Sequence, residues 1–306
     1  MSILNKKKIP KVAILLAAHN GEKFIYRQIR SILSQQKVQV FIFINDDDSK
    51  DSTIRICNSL VKIYSNITLF ENNQLRFGSS AANFFNMIEK INFDKYDFVG
   101  FSDQDDIWRP YKIYRAINKI EECFDGYSSN VRPFHKKKLL KTVNKSNKQT
   151  EFDFLFEGGG AGSTILIKKK VIQGLQVHLL NSPWIKKKIN HHDWLTYAFT
   201  RYKYGKWHID NYNSVYYRQH NYNELGSSDS VYGFFKRLKM VLSGYAFKQS
   251  KLIAEAISLE SNLYKKIYQN KYLSFFLIMN FYKLRRSYKG KFIVLLIGLL
   301  SFFYKI

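Results

Sequence analysis

Between Lys11 and Phe101, short runs of β-branched and aromatic residues alternate with apolar stripes at helical spacing, and few folds accommodate that rhythm. Val12–Leu16 is a continuous apolar run, as expected of a strand covered on both faces. Asn20-Gly21 breaks it, and Ile25, Ile29, Ile32 and Leu33 then recur at the spacing of a helix. Val38–Ile44 reads as a second strand. Asp51 or Ser52 can cap a helix carrying Ile54, Cys57, Val61 and Tyr64 on one face. A strand near Ile67–Phe70, a helix striped by Ala81, Phe84, Ile88 and Ile91, and a strand at Asp97–Phe101 follow. Pro110 suits the first turn of the next helix. The order β-α-β-α-β-α-β predicts an α/β fold with a doubly wound, mostly parallel sheet.

The rhythm fades afterwards. Gly126 to Gln149 is dominated by Lys, Asn, Ser and Gln and reads as a loop. Order resumes at the cluster Gly158-Gly159-Gly160-Ala161-Gly162, with a strand predicted over Ser163–Ile167. Trp194, Leu195, Ala198, Phe199 and Tyr202 have helical spacing, and Trp207–Asp210 and Ser214–Arg218 read as two short strands. The expected organisation is a catalytic domain over 1–226 and a helical extension over 227–306.

Charge separates these parts. The chain carries 49 Lys and Arg against 24 Asp and Glu, a net of +25. From Val231 to Ile306 there are 14 Lys and Arg against only Glu255 and Glu260. Such a field favours anionic lipid, nucleic acid or phosphorylated substrates, although abundant Lys, Asn, Ile and Tyr together also fit a codon bias. Tyr272–Tyr282 and Phe292–Tyr304 are strongly apolar, but each is shorter than the roughly 20 residues that span a bilayer. They read either as in-plane or re-entrant membrane segments, with the basic link Lys283–Lys291 against lipid phosphates, or as core helices of an appendage. Cys57 and Cys123 read as two buried thiols in a reducing compartment. The apolar run after the basic N-terminus is too short for a secretory signal, so the catalytic part is expected to remain cytoplasmic.

Ligands of open α/β sheets bind beyond the carboxyl ends of the strands, where the polar clusters of this chain fall. Asp103-Gln104-Asp105-Asp106 gathers three carboxylates in four residues. They either hold a hard divalent cation, Mg²⁺ or Mn²⁺, or form a solvated acidic turn. Spacing by one residue lets Asp103 and Asp105 point the same way, and Trp108 and Pro110 follow directly. Asp46-Asp47-Asp48 can accept hydrogen bonds from a base or a ribose, while Asp51 caps a helix. Asp193, in His191-His192-Asp193-Trp194, reads either as a general base or as an N-cap. Tyr217-Arg218-Gln219-His220 supplies donors suited to a diphosphate.

In this order the segments LLAAHNGE (Leu15–Glu22), NDDDSKDST (Asn45–Thr53), SDQDDIW (Ser102–Trp108), GSTILI (Gly162–Ile167), HDW (His192–Trp194) and YRQH (Tyr217–His220), with Asn223 and Gly226, resemble the family 2 glycosyltransferases of the rhamnosyltransferase-like branch. The resemblance implies a GT-A nucleotide-diphospho-sugar transferase fold and an inverting, metal-dependent reaction. It implies that Ala18, Asn20, Glu22, Asp46, Asp47 and Asp103 bind the donor nucleotide and that Asp103 and Asp105, a DXD motif, hold Mn²⁺ or Mg²⁺. Asp193 would be the base, His220 and Arg218 would support diphosphate and metal, and Trp108, Gly162, His192 and Trp194 would line the donor and acceptor pocket. Two departures stand out: Asp48 replaces the usual glycine, and the basic stretch between Cys123 and Phe152 replaces a further strand ending in an acidic residue.

The implied donor is dTDP-rhamnose or a UDP-sugar, and the acceptor a saccharide or lipid-linked hydroxyl in bacterial surface polysaccharide synthesis. The implied place is the cytoplasmic face of the inner membrane, bound to anionic lipid through the C-terminal segment. Nucleic acid is not an expected partner, since acidic clusters repel phosphates unless a metal intervenes. The competing readings are a sugar nucleotidyltransferase, which would need a Gly-rich, Arg-containing loop near residue 20, and a non-catalytic basic protein bound to membrane or nucleic acid.

Overall fold

The computed structural model describes residues 8–70, 76–136, 138–220, 244–269 and 273–303. Asn223, Gly226 and the boundary expected at 226/227 lie outside the described residues. Four parallel strands realise the predicted alternation: β1 (Lys11–Ala18), β2 (Gln39–Asp46), β3 (Ile67–Phe70) and β4 (Phe98–Asp103), in the spatial order β3-β2-β1-β4. Helices α1 (Ile25–Leu33), α2 (Thr53–Ile63) and α3 (Ser80–Lys90) connect them. Val12 to Leu16 are fully buried, because β1 lies between two apolar layers. Ala13 and Leu15 pack with α3, while Ile14 and Leu16 pack with α1. The carboxyl ends of β1, β2 and β4 therefore open on one rim.

Beyond β4 the sheet becomes mixed. β5 (Ile107–Trp108), α4 (Lys112–Cys123), β6 (Gly126–His135), β7 (Lys138–Leu139), α5 (Asp153–Phe156), a 3₁₀ turn at Gly162–Thr164 and β8 (Leu166–Lys168) follow in turn. Then come α6 (Lys169–Asn181), α7 (Trp184–Lys188), α8 (His192–Lys203) and β9 (Trp207–Arg218). β8 is antiparallel to both β4 and β6, β6 is parallel to β9, and β5 is antiparallel to β9. The mostly parallel sheet expected from the sequence is thus confined to the first half. The chain reaches β8 from β6 without a long crossover helix, so β8 returns in the opposite direction.

Two expectations change here. The stretch read as a loop contains β6, a ten-residue strand in the middle of the sheet. The two short strands read after α8 are one twelve-residue strand, β9, with register shifts against β6 at Asn130. The resulting bulge is held by Asp210, which accepts from the Arg115 guanidinium at 2.7 Å and the Tyr127 hydroxyl at 3.0 Å. Of the cysteines, Cys57 is buried, its thiol pushed up to about 12 by burial, but Cys123 is exposed.

The C-terminal segment forms α9 (Tyr245–Ala256), α10 (Ser261–Tyr268), α11 (Leu273–Leu284) and α12 (Tyr288–Phe303). Ile253, Ile257, Ile267, Phe276, Leu277 and Leu284 join the same apolar core as α3, α6 and α8. The link between α11 and α12 is not free to face lipid along its length. Lys283 pairs with Glu151 at 2.8 Å, and Arg286 with Asp153 at 2.7 Å. Outward from the core, Phe275, Met279 and Tyr282 on α11 and Phe292, Leu296 and Leu299 on α12 are exposed at helical spacing. No helix among the described residues is long and apolar enough to cross a membrane.

Candidate active site

A cavity of about 1070 Å³ lies at the rim where β1, β2 and β4 end, and α8 and the tip of β9 form its far walls. Ala18, Asn20, Glu22, Asp47, Asp103, Asp105, Gly162, His192, Asp193 and His220 all line it. Residues more than 200 positions apart in sequence therefore share one space.

The loops after β1 and β2 are locked to each other. Asp47 donates its backbone N–H to the Ala18 carbonyl at 2.7 Å, and His19 Nδ1 meets the Asp47 carbonyl at 2.7 Å. Asn20 accepts from the Lys50 N–H at 2.8 Å, and Glu22 accepts from the Ser52 N–H at 3.0 Å. Asp51 accepts from the Glu22 and Thr53 N–H groups. Burial works against its ionisation, yet the Thr53 hydroxyl, which also donates to it, and those N–H groups hold its carboxyl below the usual range. Alternation along the chain separates Asp46 from Asp47. Asp46 turns inward to accept from Ser49, whereas Asp47 lies on the cavity wall and accepts from the N–H groups of Phe77 and Gly78. Asp48, at the family's glycine position, has φ 59°, a left-handed conformation that glycine adopts at least cost. Its carboxylate pairs with Lys50 at 2.6 Å.

The cluster after β4 divides in the same way. Asp103 and Asp105 line the cavity, and Asp105 meets His220 Nε2 at 2.6 Å. Asp106 is buried instead, and burial first, then the charges of Asp105 and Asp103, raises its carboxyl well above the usual range. Burial thus sets Asp106 apart from the two carboxylates that line the cavity. Among the described residues no three His, Cys, Asp or Glu side chains form a ready metal cage. The donor set still suits Mg²⁺ or Mn²⁺, which commonly take one or two carboxylates and complete their shell with substrate phosphates and water.

Four residues anticipated at the site lie elsewhere or act indirectly. Trp108 is buried beneath the rim with the Lys112 ammonium 3.6 Å from its ring centroid. Burial pulls that ammonium down to about 7, against the opposing influence of Asp106. Trp194 donates its indole N–H to the Phe154 carbonyl at 2.8 Å, on the side of α8 away from the cavity. Arg218 spans the Phe24 and Phe134 rings and donates to the Asp105 carbonyl at 2.8 Å, so it braces the acidic loop from behind. Asp46 is the fourth.

On the opposite wall α8 begins. Its N-cap is His191, and Asp193 sits in the first turn, accepting from the Trp194 N–H at 2.8 Å. His192 packs 4.0 Å from the Phe84 ring and edge-on to Phe101, and burial lowers its imidazole to about 4. It is therefore neutral at pH 7. Its buried Nε2 has no hydrogen-bond partner among the described residues. Gly162 permits this approach, since a Cβ there would meet Nε2 at 2.7 Å.

Several wall residues escaped sequence reasoning. Gln104 clamps His19, accepting from its N–H at 2.8 Å and donating to its carbonyl at 2.7 Å. Phe24 stacks on His220 at 5.1 Å. Arg76, His135 and Lys145 bring positive charge or a titratable ring, and the last two belong to the stretch read as a loop. The spacing of Gln104 within the acidic cluster was a usable signal; the others carried none.

Comparison with known proteins gives this geometry a lineage. The family model described as Glycosyl transferase family 2 matches residues 13–173. The dTDP-rhamnosyl transferase RfbG of Shigella flexneri is 34% identical over 94% of this chain and 100% of its own length. A glucosyltransferase of Escherichia coli, WfaP, described as acting on GlcNAc-diphosphoundecaprenol, is 32% identical over 39% of this chain and 45% of its own. Among solved structures, S. aureus TarS in complex with UDP-GlcNAc superposes with a TM-score of 0.58 at 16% identity, covering 90% of this chain and 73% of that one. That likeness shows the shared GT-A fold. The chain belongs to glycosyltransferase family 2, as an enzyme that moves sugar from a nucleotide-activated donor.

Proposed function

We propose that this enzyme transfers rhamnose from dTDP-rhamnose, with inversion, to a hydroxyl of a saccharide or lipid-linked acceptor in the synthesis of a bacterial surface polysaccharide. The observation that carries this reading is the single cavity with Asp103, Asp105 and His220 on one wall and Asp193 on the other. The full-length similarity to a dTDP-rhamnosyl transferase supports the choice of sugar and nucleotide. The diphosphate-lipid acceptor named for the second relative supports a lipid-linked acceptor.

In this reading Ala18, Asn20, Glu22 and Asp47 cradle the nucleoside, and Asp103 turns towards ribose and diphosphate. Asp103 and Asp105 would hold a divalent ion, which when bound offsets the charge of the leaving diphosphate, and His220 would support the diphosphate from beside Asp105. Asp193 takes the proton of the acceptor hydroxyl as its oxygen attacks the anomeric carbon. The bond from that carbon to the diphosphate oxygen breaks on the opposite face, releasing the nucleoside diphosphate. His192, fixed by two aromatic rings and packed against Gly162, holds the start of α8 in place beside Asp193. Asp105→Ala should lower Mn²⁺-dependent dTDP affinity at least ~10-fold, as removal of one of so few ligands implies. Calorimetry showing equal affinity with and without Mn²⁺ in both proteins would remove the metal from the proposal.

We also propose that residues 1–226 form the catalytic domain and that the extension rests in one leaflet of the cytoplasmic membrane face. α12 has 16 residues, about 24 Å at helical rise, against a hydrocarbon thickness of about 30 Å. Deleting the whole segment would strip buried Phe276, Leu284 and Arg286 from the fold, so the sharper test replaces exposed residues. The triple change Phe275→Ser, Phe292→Ser and Leu296→Ser should release the protein from vesicles containing anionic lipid; retained co-sedimentation would refute the anchor.

A further inference from the structure

The turn joining α11 to α12 enters the catalytic half through charge that is almost wholly buried. Asp153 is fully buried and receives the Arg286 guanidinium at 2.7 Å and the Arg201 guanidinium at 3.3 Å. The Tyr197 hydroxyl donates to the same carboxylate at 2.6 Å. Arg286 donates from its other nitrogen to the Gly158 carbonyl at 2.6 Å, and its backbone N–H donates to Glu157 at 2.6 Å. Next to it, Arg285 donates to the Phe156 carbonyl at 3.0 Å, and the Lys283 carbonyl accepts from the Phe152 N–H at 3.0 Å. A mere surface contact between a helical appendage and its neighbour would not bury the Arg286 guanidinium against a carboxylate, given what desolvating it costs.

What these contacts grip is the segment that leads into the cavity. Gly158 lies against Trp194, and a Cβ on Gly159 would meet the Tyr197 ring at 2.7 Å. Gly160 and Gly162 then line the cavity, with Gly162 against His192. Tyr197 and Arg201 belong to α8, whose first turn presents His192 and Asp193. Arg286 therefore touches both bodies at once: the glycine segment through Gly158, and α8 through Tyr197, to whose hydroxyl it also donates at 3.3 Å.

We propose that Arg286 is a positioning residue for the active site, a clasp from the α11–α12 turn that sets the Gly158–Gly162 segment against α8 and so fixes Asp193 and His192 across the cavity. It touches no reacting atom. The role given to Asp193 rests on the reading of the preceding section, while the clasp itself does not. The planar fork is what the site uses, because one edge serves Asp153 and the other the Gly158 carbonyl, and a lysine ammonium cannot span both.

The test is hydrogen exchange on the full-length protein, wild type against Arg286→Lys, with Glu157→Gln as a second variant that keeps Arg286 and loosens its grip. Amides of the glycine segment's exit, where Thr164 and Ile165 donate to Ala161 and Gly162, report the clasp directly. Both variants should lose about tenfold or more protection over 158–165, with changes under about twofold in β1, β2 and β4. dTDP affinity should stay within about twofold, and consumption of dTDP-rhamnose should show kcat lowered about tenfold at unchanged KM. Unchanged protection at 158–165 would overturn the proposal, as would a loss shared equally by β1, β2 and β4, which marks general destabilisation. Should the wild type not consume dTDP-rhamnose, the donor assignment fails, and the exchange measurement still decides the clasp.

Discussion

The two walls of the cavity are built by opposite means. The wall proposed to take the donor rises from parallel strands, and the loops after β1 and β2 are tied directly to each other, Asp47 to Ala18, Asn20 to Lys50 and Glu22 to Ser52. The wall proposed to take the acceptor rests on a mixed sheet and a helix joined to its surroundings by charged pairs 48 to 133 residues apart in sequence. A parallel sheet core fixes its own rim, whereas glycine-rich backbone needs outside support to hold a catalytic geometry. The donor wall should accordingly bind nucleotide almost independently of what happens opposite.

Asp193→Asn breaks the comparison most forcefully. Turnover should fall about 10²- to 10⁴-fold, the usual share of a general base, while dTDP affinity remains near that of the wild type. Retained turnover would place the base elsewhere; lost dTDP binding would mean the walls are not independent. A smaller effect is expected from acid. His192 resists protonation until about pH 4, whereas an unfolded imidazole protonates near 6.5. Between those values the unfolded state binds the extra proton, so stability falls as pH is lowered from 6.5 towards 4, by at most about 1.4 kcal/mol per unit. Urea midpoints across this range should be flatter in His192→Phe, and identical slopes would contradict the buried neutral ring. Smallest is Asp48→Gly on the donor wall, which relieves a left-handed residue but loses its Lys50 pair. The net gain should be under about 1 kcal/mol by thermal unfolding, with unchanged dTDP affinity. A destabilisation above that would show the ion pair to be the stronger influence.

The same contrast explains what could be read in advance. Strands β1 and β4 announce themselves because both their faces are buried in apolar layers, so Val12–Leu16 and Phe98–Phe101 carry no polar interruption that matters. β6 hides. Its buried Ser128, Ser129 and Asn130 are satisfied by the Gly159 carbonyl, Ser214 and the Lys145 N–H, none of which is a sequence neighbour. Pro133 argues further against a central strand, yet it sits opposite Tyr217 in one. At the site, the acidic clusters point to the right loops but not to the individual carboxylates. Direction along an extended chain alternates, and only the fold decides whether Asp46 or Asp47, Asp105 or Asp106, turns outward. Trp108 and Arg218 fall in the right segments and serve the wall from behind.

The bulge in β9 has a mechanical consequence. Asp210 to Val215 spend more residues than β6 does over the same stretch, and the strand then ends at Arg218, two residues before His220 on the cavity wall. Each residue of an extended chain advances about 3.3 Å. The surplus works as a shim. Removing a single link at Asn211 or Tyr212 would draw His220 out of reach of Asp105, although neither residue comes near the cavity.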